Sequence, residues 1–311
     1  MTQKNLRLDW VDISRGIAIT LMVLGHSSLP TPIQSFIYSF HMPFFFFISG
    51  MLSKPFSNLT SNAFISFAKK KAVALLLPFV IYSIINIILY PLYGKLTIFE
   101  YILQVIQQGW GGLALWFIPV FFISVIISKF CITTKRTAII SAILLTIISY
   151  LLATYKIILP WNISTVPIAS AFMIIGYLMK DIVFSIVNTV NYIKRTYIIL
   201  LTMSVSFVIA LHFRLDMATY KITPIIPIII AALSGIFFLL TVSSIISRFN
   251  ILSKTIQYIG RHTYEILGFS QVIIMIINRN TSIGVISKYI ILIIILYCIF
   301  RLRDSIHKLY K

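Results

Sequence analysis

Long apolar runs, separated by short gaps where lysines and arginines gather, leave this chain few ways to fold. A helix that crosses a bilayer needs roughly 20 mostly apolar residues. Ten runs of that kind follow one another, at about 12–29, 33–52, 72–93, 112–130, 137–155, 163–180, 196–213, 222–246, 261–278 and 283–301. Backbone in lipid must satisfy its own hydrogen bonds, so such runs become helices. No gap is long enough for a soluble domain, and 1–311 reads as a single transmembrane domain. Charged residues make up 11% of the chain and the mean hydropathy is +0.99, against roughly 25% charged in a soluble domain. The expected architecture is an all-α polytopic membrane bundle of about ten transmembrane helices with both termini cytoplasmic.

The basic residues supply the orientation. Of the 26 Lys and Arg, six (Lys95, Lys156, Arg214, Lys221, Arg279 and Lys288) fall on the outer side of a ten-span alternation. Arg15 lies inside a run and is set aside, and the other 19 fall on the inner side. An excess of Lys and Arg in short cytoplasmic loops is the usual orienting signal. The net charge of +19 therefore follows topology and does not imply nucleic-acid binding. Cys131 and Cys298 lie near inner helix ends and are expected as free thiols. The first run is not a cleavable signal, because it holds Arg15 and His26 and runs into a second apolar stretch.

Ionisable groups within lipid are costly and mark functional candidates, and they concentrate in residues 9–52. Arg15 and His26 are eleven residues apart, so at roughly 100° per residue they differ by about 20° around the helix and by ~16 Å along it. Asp12 lies within about 40° of the same stripe and is an i,i+3 neighbour of Arg15. Residue counting places His26 and His41 at depths of ~21 and ~18 Å on adjacent helices. Two histidines at one level look like a site. Histidine is the side chain best matched to proton transfer near neutral pH, and with no acidic nucleophile His26 is the best base in the chain. No zinc-ligand spacing, glycine-rich phosphate loop or nucleophile elbow is present, and no metal is expected.

Further features interrupt the apolar pattern. Lys69, Lys70 and Lys71 end the gap before the third run, where they either orient the chain or hold an anionic phosphate. Trp110 reads as an interfacial anchor, while Trp116 and Pro119 fall within the fourth helix. Ala169, Ser170, Ala171 and Gly176 suit close helix packing. Pro224 and Pro227 suggest a kink in the eighth helix. In the ninth, Arg261 and Glu265 at i,i+4 suggest an internal ion pair.

DWVDISRGIAITLMVLGHS, FHMPFFFFISGML, KKKAVALLLPF, LWFIP, PIASAFMIIGYLM and IGRHTYEIL, in that order, resemble the acyltransferase family 3 integral membrane proteins, especially the branch with fucose 4-O-acetylase-like enzymes. The likeness covers nearly the whole chain and is most specific in the first hairpin. There Arg15 and His26 match the family's Arg–ten residues–His motif, which implies that His26 is the essential histidine and Arg15 its motif partner. The resemblance implies a multi-pass protein of the bacterial inner membrane. It would transfer an acyl group, usually acetyl, from cytoplasmic acyl-CoA to a hydroxyl of a surface polysaccharide or an undecaprenyl-linked precursor. Acyl-CoA would be a co-substrate, with no bound cofactor. The chain departs from the family twice: Ala74 stands where a second basic residue often follows Lys71, and Ser270 stands where relatives tend to have a histidine. With no additional hydrolase-like domain, the membrane domain must reach the acceptor itself.

The reading that follows is O-acyl transfer, with His26 as general base or transient acyl carrier. Asp12 orients Arg15, and His41 orients His26 or the acceptor. Lys69, Lys70 and Lys71 hold the donor, while Trp116 and Glu265 belong to the acceptor pocket. The alternative is a transporter or flippase using the Arg15–His26 stripe as a proton relay. Many transporters show internal repeats, and none is found here. A purely structural membrane subunit would not need the stripe.

Overall fold

Each of the ten apolar runs has a helical counterpart in the computed structural model, which describes residues 8–27, 29–55, 60–108 and 114–309. In chain order the helices are α1 (Asp9–Gly25), α2 (Thr31–Met51), α3 (Ser61–Leu89), α4 (Ile98–Gln108), α5 (Phe117–Cys131), α6 (Lys135–Thr154), α7 (Val166–Leu178), α8 (Lys180–Val187), α9 (Tyr192–His212), α10 (Ile225–Ile246), α11 (Asn250–Arg261), α12 (Thr263–Asn280) and α13 (Val285–Leu309). Short 3-10 segments at Tyr90–Leu92 and Pro160–Thr165 follow α3 and precede α7. Among the described residues there is no strand, only an isolated bridge between Asp216 and Lys221. Cys131 and Cys298 are free.

Six helical stretches are long and apolar enough to cross a membrane: Ser61–Leu92, Lys135–Thr154, Pro160–Leu178, Tyr192–His212, Ile225–Ile246 and Val285–Ile306. The protein is therefore all-helical, with six candidate spans among the described residues.

The differences from the sequence expectation have local causes. α4, α8 and α11 are additional helices, too short to register as apolar runs. α3 begins at Ser61 because the Thr60 side chain accepts from the Ala63 N–H at 3.3 Å, an N-cap. The following SNAFISFAKKK holds no glycine or proline to stop a helix. Lys69, Lys70 and Lys71 consequently lie inside α3 rather than in a loop before it. Trp116 precedes α5 instead of lying within it. Pro224 is the N-cap residue of α10 and Pro227 falls in its first turn. Proline has no helical hydrogen bond to lose there, so both start the helix rather than bend it.

Contacts divide the chain into two units. The first comprises Met1–Phe56, Ile127–Ile157 and Pro167–Thr263. Its core is aromatic and aliphatic, with Phe40, Phe44 and Phe47 of α2 packed with Ile236, Leu239 and Leu240 of α10. Glycines let its helices touch at the main chain. A Cβ on Gly16 would fall closer than 3.0 Å to the Ile256 carbonyl, and one on Gly260 equally close to the Asp12 carbonyl, so α1 and α11 meet backbone to backbone. Gly50 of α2 and Gly176 of α7 make a matching pair against Met173 and Phe47.

The second unit comprises Ser57–Ile126, Ile158–Val166 and Tyr264–Lys311. Tyr90 and Tyr101 stack at 3.7 Å between ring centroids, and Trp161 Nε1 donates to the Ile106 carbonyl at 3.2 Å. These contacts seat α4 within its unit. The Glu265 carboxylate accepts from Arg303 Nε at 2.9 Å, joining α12 to α13.

Candidate active site

The turn between α1 and α2 builds the site, and its geometry comes from a few local constraints. α1 stops at Gly25, His26 is its C-cap residue, and Pro30 and Pro32 set the start of α2. The Gln34 amide reaches back to donate to the Gly25 carbonyl at 2.8 Å, closing the hairpin. A Cβ on Gly25 would stand 3.2 Å from the Tyr38 ring. The absence of a side chain there lets Tyr38 approach His26, with 3.3 Å between Tyr38 Oη and His26 Nδ1.

Tyr38 and His41 are one turn apart on α2, and their rings meet edge to face at 5.1 Å. The His26 and Tyr38 rings are 5.9 Å apart. Tyr38 thus stands between the two histidines that residue counting places at one level. Their environments differ. His26 is exposed, whereas His41 is 3% exposed. His41 Nδ1 lies 2.8 Å from the Ile37 carbonyl. A carbonyl only accepts, so Nδ1 carries the proton and Nε2 of the neutral ring keeps its lone pair. Two residues on, Pro43 has no N–H, which leaves the Ser39 carbonyl without its helical partner. The Ser39 hydroxyl meets Ser206 Oγ of α9 at 3.1 Å, fixing this part of α2 against its neighbour.

The loop from α9 to α10 completes the cluster. Arg214 places its guanidinium 4.6 Å from the centre of the Tyr38 ring, a cation–π contact. Asp216 and Arg214 are the charges that bear on His26. The loop is well fastened. Asp216 and Lys221 exchange backbone hydrogen bonds of 2.9 and 2.8 Å, and Asp216 Oδ1 accepts from the Ala218 and Thr219 N–H groups at 3.0 and 3.2 Å. Tyr220, at φ 57°, turns so that its hydroxyl donates to the Ser149 carbonyl at 2.9 Å. Tyr38, Arg214 and Asp216 are the residues that sequence reasoning missed. The i,i+3 spacing of Tyr38 and His41 was the available signal; nothing local marks the loop residues.

At the other end of α1, Asp12 is 2% exposed and lies between two arginines. Arg15 Nη1 is 3.8 Å from Oδ1, and Arg261 Nε is 3.7 Å from Oδ2. The single helix expected across Arg261 and Glu265 is broken between them, because α11 ends at Arg261 and His262 caps it before α12 begins. Arg261 turns to Asp12 and Glu265 to Arg303. Asp12 and Arg15 are brought together as expected. Arg15 and His26 share a continuous helix but stand ~16 Å apart along it.

The remaining candidates lie in the second unit. Lys69 and Lys70 are exposed, and the Lys71 ammonium stands 5.8 Å from the Phe67 ring. Trp116 is buried and packs edge-on against Phe117. Near Glu265, the Tyr264 hydroxyl donates to the Leu75 carbonyl at 2.6 Å and the Tyr264 ring faces Tyr82. Ser270 is fully buried beside Gln271 on α12. Trp110 lies outside the described residues. Among the described residues no group of three or more His, Cys, Asp or Glu is placed to hold a metal ion.

Comparison with curated proteins and with solved structures returns no match. A family model described as an acyltransferase domain matches residues 8–300. That match runs from the start of α1 into α13 and takes in the charged stripe, both histidines and the loop that faces them. Together with the apolar helices, it makes this protein a membrane acyltransferase, and the chain belongs to acyltransferase family 3.

Proposed function

We propose that the protein transfers an acyl group, most simply acetyl, from acyl-CoA to a hydroxyl of a bacterial surface polysaccharide or its lipid-linked precursor. It would work in the bacterial inner membrane, crossing it ten times with both ends cytoplasmic. The observation that carries the catalytic part of this reading is His26 at the end of α1, with Tyr38 on one ring nitrogen and Arg214 against the same tyrosine ring. With Nδ1–H donating to Tyr38 Oη, Nε2 holds the lone pair and faces the substrate as a general base.

In the proposed reaction the acceptor oxygen attacks the thioester carbonyl carbon while His26 Nε2 takes the hydroxyl proton. Asp216 would stabilise the resulting imidazolium, and the Arg214 cation would offset the developing oxyanion. The carbon–sulfur bond then breaks, and the departing thiolate takes the proton from His26. The products are the ester and free CoA. His41, neutral and buried, holds Tyr38 in place from the opposite side. Lys69, Lys70 and Lys71 would hold donor phosphates, and Trp116 and Glu265 would contribute to the acceptor site.

His26→Gln tests the reading, since glutamine keeps hydrogen bonding but cannot accept a proton. General-base catalysis contributes about 10²–10⁴-fold, and acyl transfer in membranes carrying the inserted variant should fall by that factor. Near-normal transfer by well-inserted protein refutes His26 as the base. Glycan NMR with and without the gene identifies the acceptor through the O-acetyl signals that disappear.

A further inference from the structure

A second polar site lies in the first unit, away from the histidines in the sequence and unused by the mechanism above. The segment after α2, the start of α6 and the start of α8 line a half-open cavity of about 320 Å3 formed by Ser53, Lys54, Lys135, Tyr177, Lys180 and Asp181, with Lys54 and Lys135 at its exposed edge. Three ammonium groups against one carboxylate leave it with a net charge of +2. No ion pair joins any of these lysines to a carboxylate among the described residues. The volume far exceeds the roughly 10–15 Å3 that one water requires.

The placement of the lysines argues for a ligand. Lys135 and Lys180 are the first residues of α6 and α8, where the helix dipole is positive and a cation is disfavoured. Excess basic residues on one side of a membrane protein explain why lysines occur in such gaps. They do not explain why three from separate parts of the chain converge on one hollow. The wall is also built rather than incidental. Lys129 donates from its ammonium to the Lys54 carbonyl, fastening the segment after α2. Thr134 and Thr137 cap α6 reciprocally, which fixes Lys135 as its first residue.

We propose that this cavity binds a phosphate group, with Lys54, Lys135 and Lys180 as its cationic donors and the Tyr177 hydroxyl as a neutral one. A phosphate monoester carries close to two negative charges near neutral pH, which matches the net charge of the cavity. The same chemistry is offered by a soluble organic phosphate and by a lipid headgroup. The inference stands apart from the acyl-transfer reading, because binding is measured without turnover.

The test uses the full-length protein in nanodiscs. Adenosine 3′,5′-bisphosphate is titrated by calorimetry in discs of phosphatidylcholine alone. Retention of phosphatidic acid, whose headgroup is a phosphate monoester, is read by native mass spectrometry from mixed discs. Binding in the first arm alone assigns a soluble phosphate, and binding in the second a headgroup; either supports the site. The combined variant K54Q/K135Q/K180Q should weaken the observed binding at least about tenfold, or 1.4 kcal/mol, while the triple arginine variant retains it. Asp181→Asn should tighten binding about two- to fivefold by removing the one opposing charge, an effect of the sign expected for phosphate-on-lysine attraction. Asp181 is exposed, so this second variant keeps the test open if the triple glutamine variant does not fold. Wild-type protein that binds neither probe, or binding that is indifferent to all these substitutions, overturns the proposal.

Discussion

Tyr38→Phe separates the hydroxyl of the central tyrosine from its ring. The ring makes the edge contact with His41 at 5.1 Å and carries Arg214 at 4.6 Å. Both survive the substitution. What is lost are the interactions of Oη: that with His26 Nδ1 at 3.3 Å, a length at the weak end of the hydrogen-bond range, and its hydrogen bond with the Arg214 guanidinium. A neutral hydrogen bond contributes about 0.5–1.5 kcal/mol net, which at 1.4 kcal/mol per decade is about two- to twelvefold. If Tyr38 positions His26, kcat for acyl transfer by purified protein should fall by that factor, with KM for acyl-CoA little changed. Tyr38→Ala, which also removes the ring beneath Arg214, should lose more. The informative comparison is with His26→Gln. A Tyr38→Phe loss as deep as the histidine's would make the hydroxyl itself a proton donor or acceptor. No loss at all would mean that the 3.3 Å approach has no part in the reaction, and either result would refute the positioning role.

Two further outcomes follow from the packing and the charges. A Cβ on Gly176 would collide with the Phe47 carbonyl, and main chain cannot rotate away; Gly176→Ala should therefore cost about 1–3 kcal/mol, read as a lower thermal midpoint in detergent, and an unchanged midpoint would deny the close α2–α7 crossing. Neutralising Lys69, Lys70 and Lys71 together should raise KM for acyl-CoA with insertion intact, and unchanged kinetics would return these lysines to orienting the chain.

The sequence was most readable where one helix or one hairpin holds the information. The apolar runs become helices because lipid leaves the backbone no other partner, and the Asp12–Arg15 pair is fixed by helical spacing alone. The approach of His26 and His41 was legible from counting along two adjacent helices. Three things were not. Amphipathic α4, α8 and α11 are too short to stand out as spans, so they read as gaps. Lys69 to Lys71 look like the end of a loop because a run of charge usually bounds an apolar span, although lysine is a good helix former and the cap at Thr60 starts the helix earlier. The Arg214–Tyr38 contact depends on where the α9–α10 loop is carried by the fold, and no periodicity in either segment records it.

Asp12 shows why the stripe on α1 was only half of an arrangement. A carboxylate 2% exposed is costly to bury unless its charge is compensated. Arg15 approaches it at 3.8 Å. The second compensation comes from Arg261, whose position depends on Gly260 lying against the Asp12 carbonyl and on α11 ending immediately afterwards. A residue larger than glycine at 260 would push α11 away and take the guanidinium with it. Arg15 is half-buried, with 34% of its side chain exposed. On the proposed reading Asp12 orients this arginine from one side while Arg261 approaches the same carboxylate from the other. On the proposed reading the pairing of Arg15 with His26 in one motif reflects a division of labour along α1. One end holds charge, and the other, ~16 Å away along the helix, holds the imidazole.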